Sequence, residues 1–111
     1  MEDLWTQISE LRARDERRSG APTDVSEVLL MAKVSEEANE AAELYRRLQG
    51  WGTNGAVTAT LPEVQDEVCA AAMAALVALD RISPDGTARE VWDRYLAFGY
   101  VRAKRENAAQ S

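Results

Sequence analysis

The apolar residues of the chain recur every three or four positions, which is the spacing of one face of an α-helix, and strict alternation is absent. Three polar stretches containing Gly or Pro interrupt this pattern: SGAPT at 19 to 23, GWGTNGAVTA at 50 to 59 and SPDG at 83 to 86. Four helical segments remain between them. The pattern therefore predicts a single all-α domain over residues 1–111, most simply a four-helix bundle.

The last three helices each begin with a capping-box pattern, a short polar residue followed three positions later by an acid that reaches back to it. The pairs are Asp24 with Glu27, Thr60 with Glu63, and Thr87 with Glu90. These starts and the polar breaks predict helix two from about Val25 to Gln49, helix three from about Leu61 to Ile82 and helix four from about Ala88 to Asn107.

Helix two carries an acid inside its apolar face, which consists of Leu30, Val34, Ala41, Leu44, Tyr45 and Leu48. At roughly 100° per residue, Glu37 lies within this stripe and Glu40 lies about 60° to one side. An ionised carboxylate in such a place is costly unless it is paired or bound to a metal. The simplest alternative is an ordinary helix-face pair between Glu37 and Lys33, four residues earlier.

Helix three is apolar on all sides from Val68 to Leu79, so we expect it to be buried on most of them, with Cys69 as a small buried hydrophobe. Its polar end carries Glu67, and the same broad face carries Glu63, Asp66 and Ala70. Acids from helices two and three would then meet across the bundle and form an oxygen-rich site for Mg²⁺, or for Mn²⁺. Glu63 is the weakest candidate because the capping box already accounts for it.

The amino-acid composition limits the partners and the reaction types that are possible for this chain. The 111 residues carry a net charge of −6, which argues against a nucleic acid polymer as partner, because such binding draws on clustered Lys and Arg. The chain has no histidine and one cysteine, which excludes a zinc site, histidine-based acid–base catalysis and an internal disulfide. Its first 18 residues, MEDLWTQISELRARDERR, resemble neither a signal peptide nor a membrane anchor, so we expect a cytoplasmic protein with no membrane partner.

Two stretches resemble a known family. KVSEEANEAAEL at 33 to 44 and EVQDEVCAAAMAALVALDRISPD at 63 to 85 look like the MazG-like all-α nucleoside triphosphate pyrophosphohydrolases. That family carries an ExxE motif on one helix and an ExxD motif on the next, and the four acids bind Mg²⁺. Here the first motif reads Glu37-Ala38-Asn39-Glu40. The resemblance implies hydrolysis of a (deoxy)nucleoside triphosphate to monophosphate and pyrophosphate, a house-cleaning reaction.

The second motif departs from the family pattern. When the apolar run is aligned with the usual ELxDV, Glu67 takes the Glu position and Ala70 stands where the Asp belongs. A literal ExxD at Glu63 to Asp66 lies one turn too early. Three explanations fit the alanine: Asp66 takes over as ligand, the protein has lost catalysis and kept binding, or the Asp was replaced deliberately to trap a substrate.

The resemblance assigns roles to particular residues. Glu37, Glu40 and Glu67 would hold the metal with Asp66 as a fourth ligand, and Glu36 would act as the base that activates water. The candidates for contacting the substrate are Lys33, Trp51, Arg81 and Lys104. The alternative functions are a catalytically inactive nucleotide-binding or regulatory protein and a plain helical dimerisation module. The extent of apolar helix surface further predicts a homodimer or higher homo-oligomer.

Overall fold

The computed structural model describes residues 2–20, 23–52 and 54–110, and the side chains at positions 23 and 24 lie outside this description. It contains four helices, α1 (Leu4–Ser19), α2 (Thr23–Gln49), α3 (Leu61–Ile82) and α4 (Ala88–Gln110), and the described residues form no strand. The predicted all-α class and the predicted number of helices are confirmed. None of the described helices combines the length and the apolar character needed to cross a bilayer.

The observed helix starts agree with only some of the predicted capping boxes. Thr60 and Glu63 form the predicted reciprocal capping box, in which the Thr60 side chain accepts from the Glu63 backbone N–H and the Glu63 carboxylate accepts from that of Thr60. At the start of α4 the Thr87 hydroxyl instead donates to the Pro84 carbonyl at 2.6 Å, closing the preceding turn. α2 begins at Thr23, ahead of the predicted start, and the side chain of Asp24 lies outside the described residues.

The end of α2 is fixed by a Schellman motif. The backbone N–H of Trp51 donates to the carbonyl of Arg46, and that of Gly50 donates to the carbonyl of Arg47. Gly50 has a φ of 72°, a left-handed conformation that favours glycine. The Arg47 side chain also donates to the Oγ1 and carbonyl oxygens of Thr58, so Thr58 is held against the end of α2.

The core lies where α1 and α4 meet the second half of α3. α2 and α3 pack along each other, and α1 packs on α3. The buried residues at the centre are Trp5, Ile8, Val77 and Ala88, with Leu11, Leu30, Leu76, Leu79 and Trp92 packed around them. Trp5 is thus a core residue.

Polar contacts fix α1 on α3. Asp80 accepts from the Ser9 hydroxyl at 3.0 Å and from Arg12 Nε at 2.7 Å. One turn further along α1, Glu16 accepts from Arg81 Nη1. These partly buried, charge-assisted bonds set the register between the two helices.

Large parts of the apolar surface are left uncovered within one chain. Only the first turns of α4 reach the core, and every residue from 93 to 110 is exposed. On α3, five residues from 68 to 79 are exposed, namely Val68, Cys69, Ala72, Met73 and Ala75. This corrects two predictions: Cys69 is exposed, and the Val68 to Leu79 segment is not buried on most sides. On α2, Tyr45, a member of the predicted apolar face, is exposed.

Candidate metal centre

Three carboxylates from α2 and α3 converge at the loop-proximal half of the helix pair. Glu37 and Glu40 lie one turn apart on α2, and Glu67 faces them from α3; one oxygen from each lies within 4.8 Å of the other two. Glu37 and Glu67 are half-buried and Glu40 is exposed. This carboxylate cluster (Glu37, Glu40 and Glu67) exists because α2 and α3 pack along their length in the register set by the 50–59 loop.

No basic side chain neutralises this cluster within the part of the chain that the structure describes, since no ion pair joins a described Lys or Arg to any of the three acids. Hydrogen bonding to Glu37, followed by that to Glu40, raises the pKa of Glu67 from an ordinary 4.5 to about 7. The metal-free cluster therefore holds a proton near neutral pH, and a cation that binds there must displace it.

The cluster suits a small divalent cation by its donor type and spacing. Mg²⁺ binds oxygen ligands at about 2.1 Å in octahedral geometry, so two ligands of one ion lie about 3 to 4 Å apart. Oxygens that already lie within 4.8 Å of one another need only small side-chain rotations to reach that spacing. An octahedral ion with three protein oxygens keeps positions for water and for substrate phosphate oxygens.

A small cavity of about 100 Å³ adjoins the cluster. Glu37, Lys33 and Ala70 all line it, together with apolar side chains of all three packed helices. A carboxylate at position 70 would therefore enter the space beside Glu37, one helical turn after Glu67. The cavity is too small for a nucleoside triphosphate, because pockets for ligands of that class measure about 300 Å³ or more.

The two remaining predicted acids lie outside the cluster. Glu36 and Asp66 each precede a cluster residue by one position, which turns them by about 100° around their helices. Both are exposed, and neither belongs to the group of converging carboxylates. Asp66 is therefore not among the converging carboxylates, and Glu36 lies next to the cluster in the sequence and is open to solvent.

The four predicted substrate contacts are dispersed. Lys33 lies one turn before Glu37 and lines the same cavity. Trp51 is exposed at the end of α2, where its ring meets that of Tyr45 edge-on at 5.8 Å. Arg81 lies about 21 Å along α3 from Glu67 and is paired with Glu16. Lys104 stands on the exposed part of α4, with its Nζ 5.6 Å from the Tyr100 ring centroid.

Helix α1 supplies residues that sequence reasoning missed. Leu11, Arg14 and Asp15 line the cavity opposite Glu37, and Arg14 pairs with Asp15. The sequence does contain a signal that α1 contributes to the bundle. Trp5, Ile8 and Leu11 recur every three residues, which places them on one apolar face of the helix. Asp15 lies one turn further along that face.

No protein-family model, curated protein or solved structure matches the chain. The resemblance to the MazG-like enzymes therefore remains a prediction that rests on residues 33 to 44 and 63 to 85.

Proposed function

We propose that the protein is a Mg²⁺-dependent nucleoside triphosphate pyrophosphohydrolase that releases monophosphate and pyrophosphate. One observation carries the proposal: three carboxylates from two helices converge without a neutralising basic side chain among the described residues. A plain dimerisation module would need Lys33 to neutralise Glu37, yet the two form no ion pair. The motif resemblance adds the reaction type.

In this proposal each residue has a defined task. Glu37, Glu40 and Glu67 would hold the metal, and Glu67 must lose its proton first because its pKa is raised to about 7. Bound Mg²⁺ would neutralise phosphate charge and acidify water for attack at the α-phosphorus. Glu36, exposed beside Glu37, would accept the proton of that water, and Lys33 would contact a phosphate oxygen.

The test is a hydrolysis assay of the purified protein with Mg²⁺ and a panel of ribo- and deoxyribonucleoside triphosphates, with monophosphate and pyrophosphate quantified together. We expect at least one nucleotide to yield both products in equal amounts. Glu37→Gln and Glu67→Gln should each lower the rate at least about tenfold, because each removes an anionic metal ligand. Glu43→Gln is the matched control, since Glu43 lies on α2, is exposed and pairs with Arg46.

A non-catalytic nucleotide-binding protein is the second candidate, and Ala70 favours it because the position beside Glu37 offers no fourth carboxylate. Mg²⁺-dependent thermal stabilisation by a nucleotide, without pyrophosphate release, would support this candidate over the enzyme. The absence of both pyrophosphate release and nucleotide-dependent stabilisation across the panel would contradict both candidates.

A further inference from the structure

A second cleft lies toward the other end of α3 from the carboxylate cluster. It has a volume of about 440 Å³ and is lined by residues of α1, of the end of α3 and of the start of α4. Asp80 lies in its wall, about 20 Å along α3 from Glu67, so the cleft is separate from the candidate metal centre. Its volume falls within the range of about 300 to 1,000 Å³ that is typical of small-molecule sites.

The carboxylate of Asp80 offers this cleft an unused acceptor. It accepts from the Ser9 hydroxyl and from Arg12 Nε, and both bonds end on the same oxygen, Oδ2. No residue that the structure describes donates to Oδ1, although the side chain is only 10% exposed. Because Asp80 lines the cleft and Oδ1 keeps contact with solvent, a hydrogen-bond donor in the cleft would satisfy this oxygen.

The charges around the cleft favour a cation. Glu10 also lines it and forms no ion pair with a Lys or Arg in the part of the chain that the structure describes. Arg89 is the one basic side chain among the described lining residues, and it is paired with Asp3. Asp80 is paired with Arg12 through Oδ2 alone. The three acids and two bases of this group leave a net charge of −1, carried by the unpaired Glu10.

Apolar surface separates this cleft from an ordinary metal site. Trp5 and Ala88 line it and belong to the buried core, and Ala13 lies further along α1. These side chains suit methylene groups, whereas a hydrated divalent ion requires oxygen ligands on several sides. The hydroxyl oxygens of Thr6 and Ser9, which also line the cleft, can accept further bonds from an ammonium group. The lining therefore matches an organic cation better than an inorganic one.

We propose that this cleft binds an aliphatic diamine, with one ammonium group at Oδ1 of Asp80, the other beside Glu10 and the methylene chain against Trp5. An ammonium group carries three donors and no acceptor, which matches a cleft whose two carboxylates retain free acceptor positions. A diamine satisfies both carboxylates with one molecule. The proposal rests on this cleft alone and goes beyond the proposed hydrolysis, so it holds whether or not the protein hydrolyses nucleotides.

The test is isothermal titration of the full chain with putrescine in an amine-free buffer, beside butanediol, a neutral molecule of the same length. We expect one putrescine per chain with a Kd of about 1 mM or lower. Butanediol should bind at least about tenfold more weakly, because it forms no charge-assisted bond with the carboxylates. Absence of putrescine binding at about 10 mM, or equal affinities for the two molecules, would overturn the proposal.

Two variants test the cleft itself. Asp80→Asn and Ala13→Leu should each raise the Kd for putrescine at least about tenfold, the first by removing the charge opposite the ammonium and the second by filling the cleft. Ala13→Leu changes no charge and leaves the bond between Arg12 and Asp80 intact, so it decides the matter if Asp80→Asn fails to fold. Unchanged affinity in a folded Ala13→Leu protein would overturn the proposal.

Glu10→Gln tests the second carboxylate. It should raise the Kd about two- to fivefold, because this acid is exposed and its ion pair is weakened by solvent. Glu90→Gln is the matched control, since Glu90 is an exposed acid next to Arg89 that does not line the cleft. Equal losses in the two variants would show that the acidic chain attracts amines without a specific site, and this would overturn the proposal.

Nuclear magnetic resonance then locates the bound amine. We expect shift changes at the Trp5 indole and at the backbone of residues 9, 80 and 86 to 89. Changes confined to Glu37, Glu40 and Glu67 would place the cation in the carboxylate cluster and would overturn the proposal. That outcome would leave the proposed hydrolysis standing, and an absence of pyrophosphate release would in turn leave the diamine site standing.

Discussion

Glu67 and Ala70 are one helical turn apart on α3, and together they decide what the carboxylate cluster can do. Glu67 meets Glu37 and Glu40, while Ala70 lines the cavity beside Glu37 without offering an oxygen. The cluster thus offers three carboxylates, and the cavity beside it is lined at position 70 by a side chain without a charge. Both residues can be tested by single substitutions.

Ala70→Asp should increase pyrophosphate release at least about tenfold, because a fourth carboxylate would enter the cavity next to Glu37 and complete the metal ligands. The measurement is the initial hydrolysis rate at several Mg²⁺ concentrations, and the concentration for half-maximal rate should fall. Asn39→Asp is the control, since it adds the same charge beside Glu40 on the exposed side of α2. Equal gains in the two variants would show that position 70 is no ligand site.

The raised pKa of Glu67 predicts how stability depends on pH. The folded metal-free protein holds this proton up to about pH 7, whereas the unfolded chain loses it near pH 4.5. The contribution of the Glu67 proton to the free energy of unfolding is therefore fully present below pH 4.5 and is lost as the pH rises through about 7. Urea unfolding in EDTA at pH 5 to 8 should show this loss in the wild type.

In the same experiment on Glu67→Gln, the free energy of unfolding should depend less steeply on pH, by the equivalent of about one bound proton, because the titrating group is gone. Glu90→Gln, an exposed acid on α4, should retain the wild-type slope. Identical slopes for Glu67→Gln and the wild type would mean that the three acids do not share a proton.

Predictions about single residues agreed with the structure where more than one feature of the sequence pointed to the same position. Glu37 interrupts an apolar stripe of α2, and acids stand at the polar end of α3, so the convergence of Glu37 with Glu67 was predictable. The burial of Cys69 was predicted wrongly, because an apolar run indicates that a helix is covered without indicating by which chain. Distances among the cluster oxygens depend on the α2–α3 register, which the helical periodicity of the sequence does not specify.

At the scale of elements, the end of α2 sets the register between α2 and α3. Gly50 ends the helix with a φ of 72° and leaves no room for a side chain, since a Cβ would lie 2.9 Å from the carbonyl oxygen of Gly55. The loop then returns to Arg47 through Thr58 before Thr60 caps α3. Helix bounds were readable from the caps and glycines, and α3 spans Leu61–Ile82 as predicted.

Gly50→Ala should destabilise the fold by about 1 to 2 kcal/mol, because alanine is strained at positive φ and its Cβ would meet backbone that cannot rotate away. Gly52→Ala is the matched control in the same loop, since its Cβ would meet nothing within 4 Å and its φ is not positive. We expect that control to change stability by less than about 0.5 kcal/mol. Chemical denaturation of both variants measures the difference, and equal losses would contradict the assigned role of Gly50.

At the scale of the whole molecule, the chain has a small core for its length. Eight hydrophobic residues are buried among those described, and no large side chain among them is fully buried. A sequence with regular helical periodicity predicts four helices, yet it cannot tell whether the apolar face of α4 folds back on its own chain. Here residues 93–110 of α4 are all exposed, and the homo-oligomer that the sequence predicts would link stability to association.

The melting temperature should consequently rise with protein concentration. Unfolding of a dimer into two unfolded chains is favoured by dilution, and for two chains of 111 residues a tenfold increase in concentration should raise Tm by about 3 °C. Phe98→Asp should melt lower and at a temperature independent of concentration, because it places a charge on an exposed apolar position of α4 that a second copy would cover. Differential scanning calorimetry over a hundredfold concentration range measures both. A wild-type Tm that does not move, in a protein of dimeric mass, would show that α1 to α3 fold without help from the partner and that the interface adds nothing to the stability of the fold.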